Sequence, residues 1–169
     1  PFRIIADPPA EVPGATVAEK RARAVPGSAV DDLRRLLCFE PRGHADMYGG
    51  FITAPDDDGA DFGVLFWHKD GFSTACGHGT MALGPWAVES GLVAPEPAGI
   101  TEVTIDVPSG RVRAQVHTDS TGRVTSVDFV NVPSRLIATA ITVSTSRGSV
   151  TVDLAWGGAL YALVDGDGL

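Results

Sequence analysis

Apolar and polar positions follow two rhythms along this chain, and the change comes near residue 100. Phe2 to Ile5 is a short apolar run that predicts a strand. "ADPPAEVPGAT" (Ala6 to Thr16) is rich in Pro and Gly and predicts a loop. Thr16 with Glu19 three residues later has capping-box spacing, so a helix should begin there and end before Pro26. In "SAVDDLRRLLCFE", Val30, Leu33, Leu36 and Leu37 recur at helical spacing, and Pro41 should stop that helix. Met47 to Ala54 reads as a strand and "PDDDGAD" as an acidic surface turn. Phe62 to His68 is continuously apolar, which suits a strand buried on both faces. A further helix is predicted from the turn at Cys76 to about Ser90, with Gly91 as its C′ residue.

Beyond residue 100 the period shortens to two. "TEVTIDV", "RVRAQVH", "VTSVDFV", "SVTVDLA" and "LYALV" alternate or are β-branched, with Ser-Gly, Thr-Gly and Gly-Gly between them. "PSG" at Pro108 to Gly110 and "DSTG" at Asp119 to Gly122 predict hairpin turns. The predicted class is α+β, with few helices and a largely antiparallel sheet. The chain opens at Pro1 without Met and stops at "VDGDGL" directly after a predicted strand, so it is expected to be part of something larger.

Composition narrows the function classes. The chain has 169 residues, 44% hydrophobic and 20% charged, which suits one soluble globular domain with a core that needs no disulfide or metal. Its net charge is −8 and no basic patch stands out, so no nucleic-acid partner is expected. No apolar run is long enough to cross a bilayer, so no membrane partner is expected either. The two cysteines, Cys38 and Cys76, make neither a disulfide framework nor a zinc spacing, and a reducing cytoplasm is the expected compartment. Asp56 to Asp58 reads as solvated turn, because a calcium loop needs regularly spaced oxygens ending in Glu.

The candidate chemistry lies in "GFSTACGHGTMALG" (Gly71 to Gly84). Cysteine reacts as the thiolate, and a helix N-terminus favours negative charge, so Cys76 at such a place is expected to ionise more readily. Gly77 and Gly79 carry no Cβ, which lets backbone amides approach a ligand closely. His78 adds a group that titrates near neutral pH, and Thr80 can bond the backbone of the first turn. The turn suits a reactive thiolate and a pocket for a carboxylate. It equally suits a tight turn in which Cys76 fills a small site.

The flanking blocks point further. "CGHGT" after "GVLFWHKDGFSTA" resembles the proline racemase family, as do "PGATVAEKRA", "FEPRGHADMYGGF", "FVNVPS" and "VDLAWGGALYALV", all in the family's order. The resemblance covers nearly the whole chain. It implies a diaminopimelate-epimerase-like α+β lobe, with a mostly antiparallel sheet around a central helix. That lobe is one half of a pseudo-twofold, two-lobed fold with the active site in the cleft. Residues 1–169 then correspond to a single N-terminal lobe, clipped at both ends: the opening Asp-x-His-Thr-x-Gly-Glu strand and the second-lobe Cys-Gly-Thr are missing.

The resemblance implies Cα proton abstraction from proline or hydroxyproline by a cysteine base, matched by Cys76, with no cofactor and no metal. Gly77 and His78 match the residues that hold the substrate. The surviving blocks lean toward the trans-3-hydroxy-L-proline dehydratase type. Proline racemase and 4-hydroxyproline 2-epimerase are the alternatives, since the second-lobe residue that separates them is absent. The remaining alternative is an inactive lobe kept as a binding module. The other partner of the cleft would be a missing second lobe or a second copy in a homodimer. The chain alone is expected to have little activity, because one base cannot exchange protons on two faces.

Three departures stand out: Ala75 where the family has Met, Pro85 within the helix after Cys76, and "STSRG" (Ser144 to Gly148) for a more apolar stretch. Pro85 is expected to kink the helix or end it early. Among the other polar residues, Arg42, His44 and Asp46 either line the cleft or hold their own loop. Cys38 is expected to be buried and structural, His68 to be a strand-end polar residue, and His117 to be exposed in a hairpin.

Overall fold

The computed structural model describes residues 2–97 and 99–166. Pro1 and the last three residues of the "VDGDGL" ending lie outside the described residues. The chain divides into two compact units, Pro1–Asn131 and Val132–Leu169.

The first unit runs β1 (Phe2–Ile5), α1 (Val17–Arg23), α2 (Ala29–Cys38), β2 (Tyr48–Thr53), β3 (Phe62–His68), β4 (Gly71–Phe72), α3 (Gly77–Glu89), β5 (Ile100–Val107), β6 (Gly110–Thr118) and β7 (Val124–Val130). Its sheet has the order β1-β2-β3-β5-β6-β7, with β4 on β3. Most pairs are antiparallel, as expected, but β1–β2 and β3–β5 are parallel. The β3–β5 join spans only Phe62 and Gly63, opposite Ile105 and Asp106.

The apolar run of β3 explains its place. Six of its seven residues are buried, Phe62 to Trp67. Leu65 and Trp67 join Val17, Val30, Cys38 and Phe51 in a core under α1 and α2. On the other face, Phe66 meets Phe2 edge-on at 6.1 Å and Phe62 meets Trp86 of α3 at 5.6 Å.

The predicted helix starts hold. Thr16 caps α1, with its hydroxyl accepting from the Glu19 amide at 3.2 Å, and Glu19 reaches back to the Ala15 amide at 2.9 Å. Ser28 caps α2. Leu36, predicted on the apolar stripe, is instead half-exposed at 49%. It lies at the edge of the stripe, and Leu33 and Leu37 pack against the core in its place.

The structure departs from the sequence reading in two further places. Of the kink or early end expected at Pro85, the early end does not occur, and α3 continues to Glu89, close to the predicted Ser90. Leu83, Gly84, Ala87 and Val88 are buried on either side of Pro85. That burial outweighs the one lost backbone hydrogen bond. A Cβ on Gly84 would lie 2.8 Å from the Ala114 Cβ, so the helix sits close on β6. The second departure is a missed strand in the second unit, β8 (Arg135–Thr145), which pairs antiparallel with β9 (Gly148–Trp156), itself paired with β10 (Leu160–Val164). Register shifts between Leu136, Ala138 and Ile141 break the alternation of β8, and Ala140 sits there at φ 55°.

A candidate active site at the N-terminus of the third helix

Cys76 is the N-cap of α3, with φ −155° and ψ 104°. A hydrogen-bond network holds it there. Its carbonyl accepts from the Thr80 amide and the Thr80 hydroxyl, both at 2.9 Å. Its sulfur takes the role that Ser or Asp has in an ordinary cap, accepting from the Gly79 amide at 3.3 Å. The loop leading to it is anchored too. The Ser73 amide donates to the Phe66 carbonyl, and the Thr74 carbonyl accepts from the Ser109 amide, each at 3.1 Å.

Glycine is required at position 79 by space. A Cβ there would lie 2.7 Å from ring carbons of both Phe2 and Phe66. The N-terminus of α3 therefore rests directly on two aromatic rings. Gly77 is tight as well, with Phe129 ring carbons at 3.3 Å from a built Cβ.

Two effects compete at the thiol. Burial pushes the Cys76 thiol above its ordinary range, while the amides of Gly79 and His78 pull it down. Burial wins, which corrects the expectation of a lowered thiol pKa. The helix end favours the thiolate, but too little to offset the loss of water around a half-buried sulfur. Alkylation of Cys76 by iodoacetamide should therefore be slow at neutral pH. Its rate should climb only as pH rises above the range of an ordinary thiol, because only the thiolate reacts. A rate-against-pH profile, read at Cys76 by peptide mass spectrometry, checks this; a plateau reached by neutral pH would contradict it.

A cavity of about 570 Å³ is lined by Phe2, Asp46, Tyr48, Ala75, Cys76, Gly77 and His78. Cys76, Gly77 and His78, the three residues matched by sequence, all line it. Asp46 joins them, while Arg42 and His44 are not among the lining residues. His44 instead accepts from the Asp46 amide through Nδ1 at 3.2 Å, holding its own loop.

Phe2 and Tyr48 were not anticipated as site residues. Strand register places them: Phe2 stands opposite Tyr48 in β1–β2, and Tyr48 opposite His68 in β2–β3. The Tyr48 ring stacks on His68 at 5.1 Å. The end of β3 is pinned in turn by Arg34, which donates to the carbonyls of His68 (2.8 Å) and Lys69 (2.7 Å). Arg34 is itself paired with buried Asp31 at 2.7 Å. Burial pushes the Tyr48 hydroxyl above its usual range, and negative charge on Cys76 adds to the push.

Cys38 is fully buried, its thiol 3.6 Å from the Met47 carbonyl, as expected of a structural cysteine. His117 lies 2.8 Å from Asp128, partly exposed on β6. Among the described residues, no three His, Cys, Asp or Glu side chains group to hold a metal ion. No helix among them is long and apolar enough to cross a membrane.

The family model for proline racemase matches residues 1–169. A trans-3-hydroxy-L-proline dehydratase of Burkholderia cenocepacia (strain HI2424) is 47% identical over 169 residues, 98% of this chain and 48% of the relative. A 3-hydroxyproline 2-epimerase of Burkholderia multivorans (strain ATCC 17616 / 249) is also 47% identical, again over 98% of this chain and 48% of the relative. The crystal structure of a hydroxyproline epimerase from Agrobacterium vitis, with bound trans-4-OH-L-proline, matches with a TM-score of 0.83 and 28% identity, covering 92% of this chain and 45% of that one. The chain spans about half the length of the curated relatives it matches.

Proposed function

This chain belongs to the proline racemase family, and on that premise we propose that its Cys76 cavity binds a proline-type amino acid and that the Cys76 thiolate removes the α-proton. The observation that carries the reading is a half-buried thiol capping a helix whose first residues line a cavity. The Gly77 and His78 amides supply donors for a carboxylate without a metal or cofactor. Tyr48 and Phe2 supply flat apolar walls for a five-membered ring. The Asp46 carboxylate is on hand for the ring ammonium.

Dehydration of trans-3-hydroxy-L-proline is the reaction favoured. In that isomer the 3-hydroxyl and the α-hydrogen share one face of the ring. A base on that face takes the α-proton, and the electron pair moves to form the C2–C3 double bond as the hydroxyl leaves. The same sulfur can return its proton to the departing hydroxide, so water is lost with no second base. The enamine then tautomerises to the cyclic imine. What favours dehydration is the trans-3-hydroxy-L-proline dehydratase relative at 47% identity; a racemase or epimerase needs an acid on the opposite face. The 3-hydroxyproline 2-epimerase relative keeps that second reading alive, with the opposite acid supplied from a second lobe or a second copy. The chain spans about half the length of these relatives, so the reaction is proposed for an assembly that supplies both faces of the cleft.

Pyrrole-2-carboxylate tests the site, being planar at the carbon that mimics the deprotonated α-carbon. It should protect Cys76 of the full-length protein from iodoacetamide by at least tenfold at saturation and leave the labelling of other thiols unchanged. Equal labelling with and without it would contradict the assignment.

A further inference from the structure

A second cavity, of about 520 Å³, lies against the loop before α1 and shares no lining residue with the Cys76 cavity. Its volume falls within the range of ligand pockets, roughly 300–1,000 Å³. Lys20 lines it and is only 7% exposed. The ammonium donates to the Thr53 hydroxyl at 2.7 Å and the Ala54 carbonyl at 3.0 Å. Both acceptors are neutral, and an ammonium has three donors. Among the described residues, the third N–H has no acceptor and the charge has no ion-pair partner. A buried charge without a counter-ion is costly, by several kcal/mol in the general case.

The rest of the cavity describes what would fit. Val12 and Ile52, both half-buried, give it apolar surface, while Val30, Phe51 and Leu65 line it with almost no exposed surface of their own. Asp7 and Glu11, both exposed, stand at its rim. Those two carboxylates oppose a multiply charged anion such as phosphate. Gly14 lets the loop close against the Lys20 stem, since a Cβ there would lie 2.8 Å from the Lys20 amide nitrogen.

We propose that this cavity binds a small monocarboxylate bearing a short apolar group, with the carboxylate on the Lys20 ammonium and the apolar end on Val12 and Ile52. The carboxylate supplies the missing counter-ion and takes the open donor. An apolar amino acid and a short-chain fatty acid share that chemistry. In the amino acid, the ammonium would be drawn toward the rim carboxylates.

Methyl NMR of the full-length protein, labelled at Val and Leu, tests the proposal with ligands of one skeleton. Saturable shifts at Val12 are expected with 4-methylpentanoate, and binding at least tenfold weaker with 4-methylpentan-1-ol. L-Leucine as tight as 4-methylpentanoate or tighter identifies the amino acid as the source; weaker leucine binding identifies the plain acid. Lys20→Met should abolish the preference for acid over alcohol, and the wild-type comparison stands even if that variant does not fold. No saturable shift with either acid, or equal binding of acid and alcohol, would overturn the proposal.

Discussion

Replacing Cys76 with serine should lower the dehydration of trans-3-hydroxy-L-proline by the full-length protein by about 10² to 10⁴-fold, the usual contribution of a positioned general base. Serine keeps the cap. Its hydroxyl can accept from the Gly79 amide as the sulfur does, at a site where the sulfur-to-amide distance is 3.3 Å. The fold should therefore survive, with an unchanged melting temperature to within a few degrees. What serine cannot do is ionise in the accessible pH range. Product formation, followed as the cyclic imine, separates the two effects: a large loss of rate with intact stability is the signature of a base. A large loss of stability with the rate preserved would make Cys76 a structural cap.

The second large effect is at Gly79. Alanine is the better helix former, by about 1 kcal/mol over glycine. Against that stands a Cβ placed 2.7 Å from both Phe2 and Phe66. Phe66 is fully buried and has nowhere to go, so the α3 end must lift or Phe2 must turn out. Overpacking of this kind costs about 1–3 kcal/mol, so Gly79→Ala should be net destabilising. The same shift moves the amide that contacts the Cys76 sulfur. Misplacement by about 1 Å is enough to cost on the order of 10²-fold in rate. Gly84→Ala is the matched control. Its Cβ meets Ala114 at 2.8 Å, five residues further along α3. Comparable destabilisation in both variants, with the rate lost only in Gly79→Ala, is the expected pattern. Equal rate losses would show that the helix end has no special part in catalysis.

Much of this site could be read from the chain before its fold was known, and the reasons are local. Caps, turns and apolar periods are set by neighbours in sequence, which is why the Thr16 cap, the helix α2 and the β3 run fall where they were expected. Cys76 was legible because a helix start is a local event and the Gly-flanked turn marks it. Tyr48 and Phe2 were not, because their place depends on the register of three strands drawn from distant parts of the chain. The direction of the thiol shift was misread for a similar reason. The helix end is local, but the burial that outweighs it comes from tertiary packing. Pro85 shows the same order of effects, with the close seat of α3 on β6 overriding a local breaker. The strand β8 was hidden by its own irregularity, since two register shifts erase the period that would have shown it.

The most direct test follows the α-hydrogen itself. The full-length protein is incubated with trans-3-hydroxy-L-proline, and the α-proton signal is followed by ¹H NMR beside that of the cyclic imine, for the wild type and for Cys76→Ser. Pyrrole-2-carboxylate binding by both proteins is measured in parallel. Loss of the α-proton by the wild type at the rate of imine formation is predicted, with almost none by Cys76→Ser while the planar inhibitor still binds. Loss of the α-proton by Cys76→Ser within tenfold of the wild-type rate would contradict the assignment of Cys76 as the base.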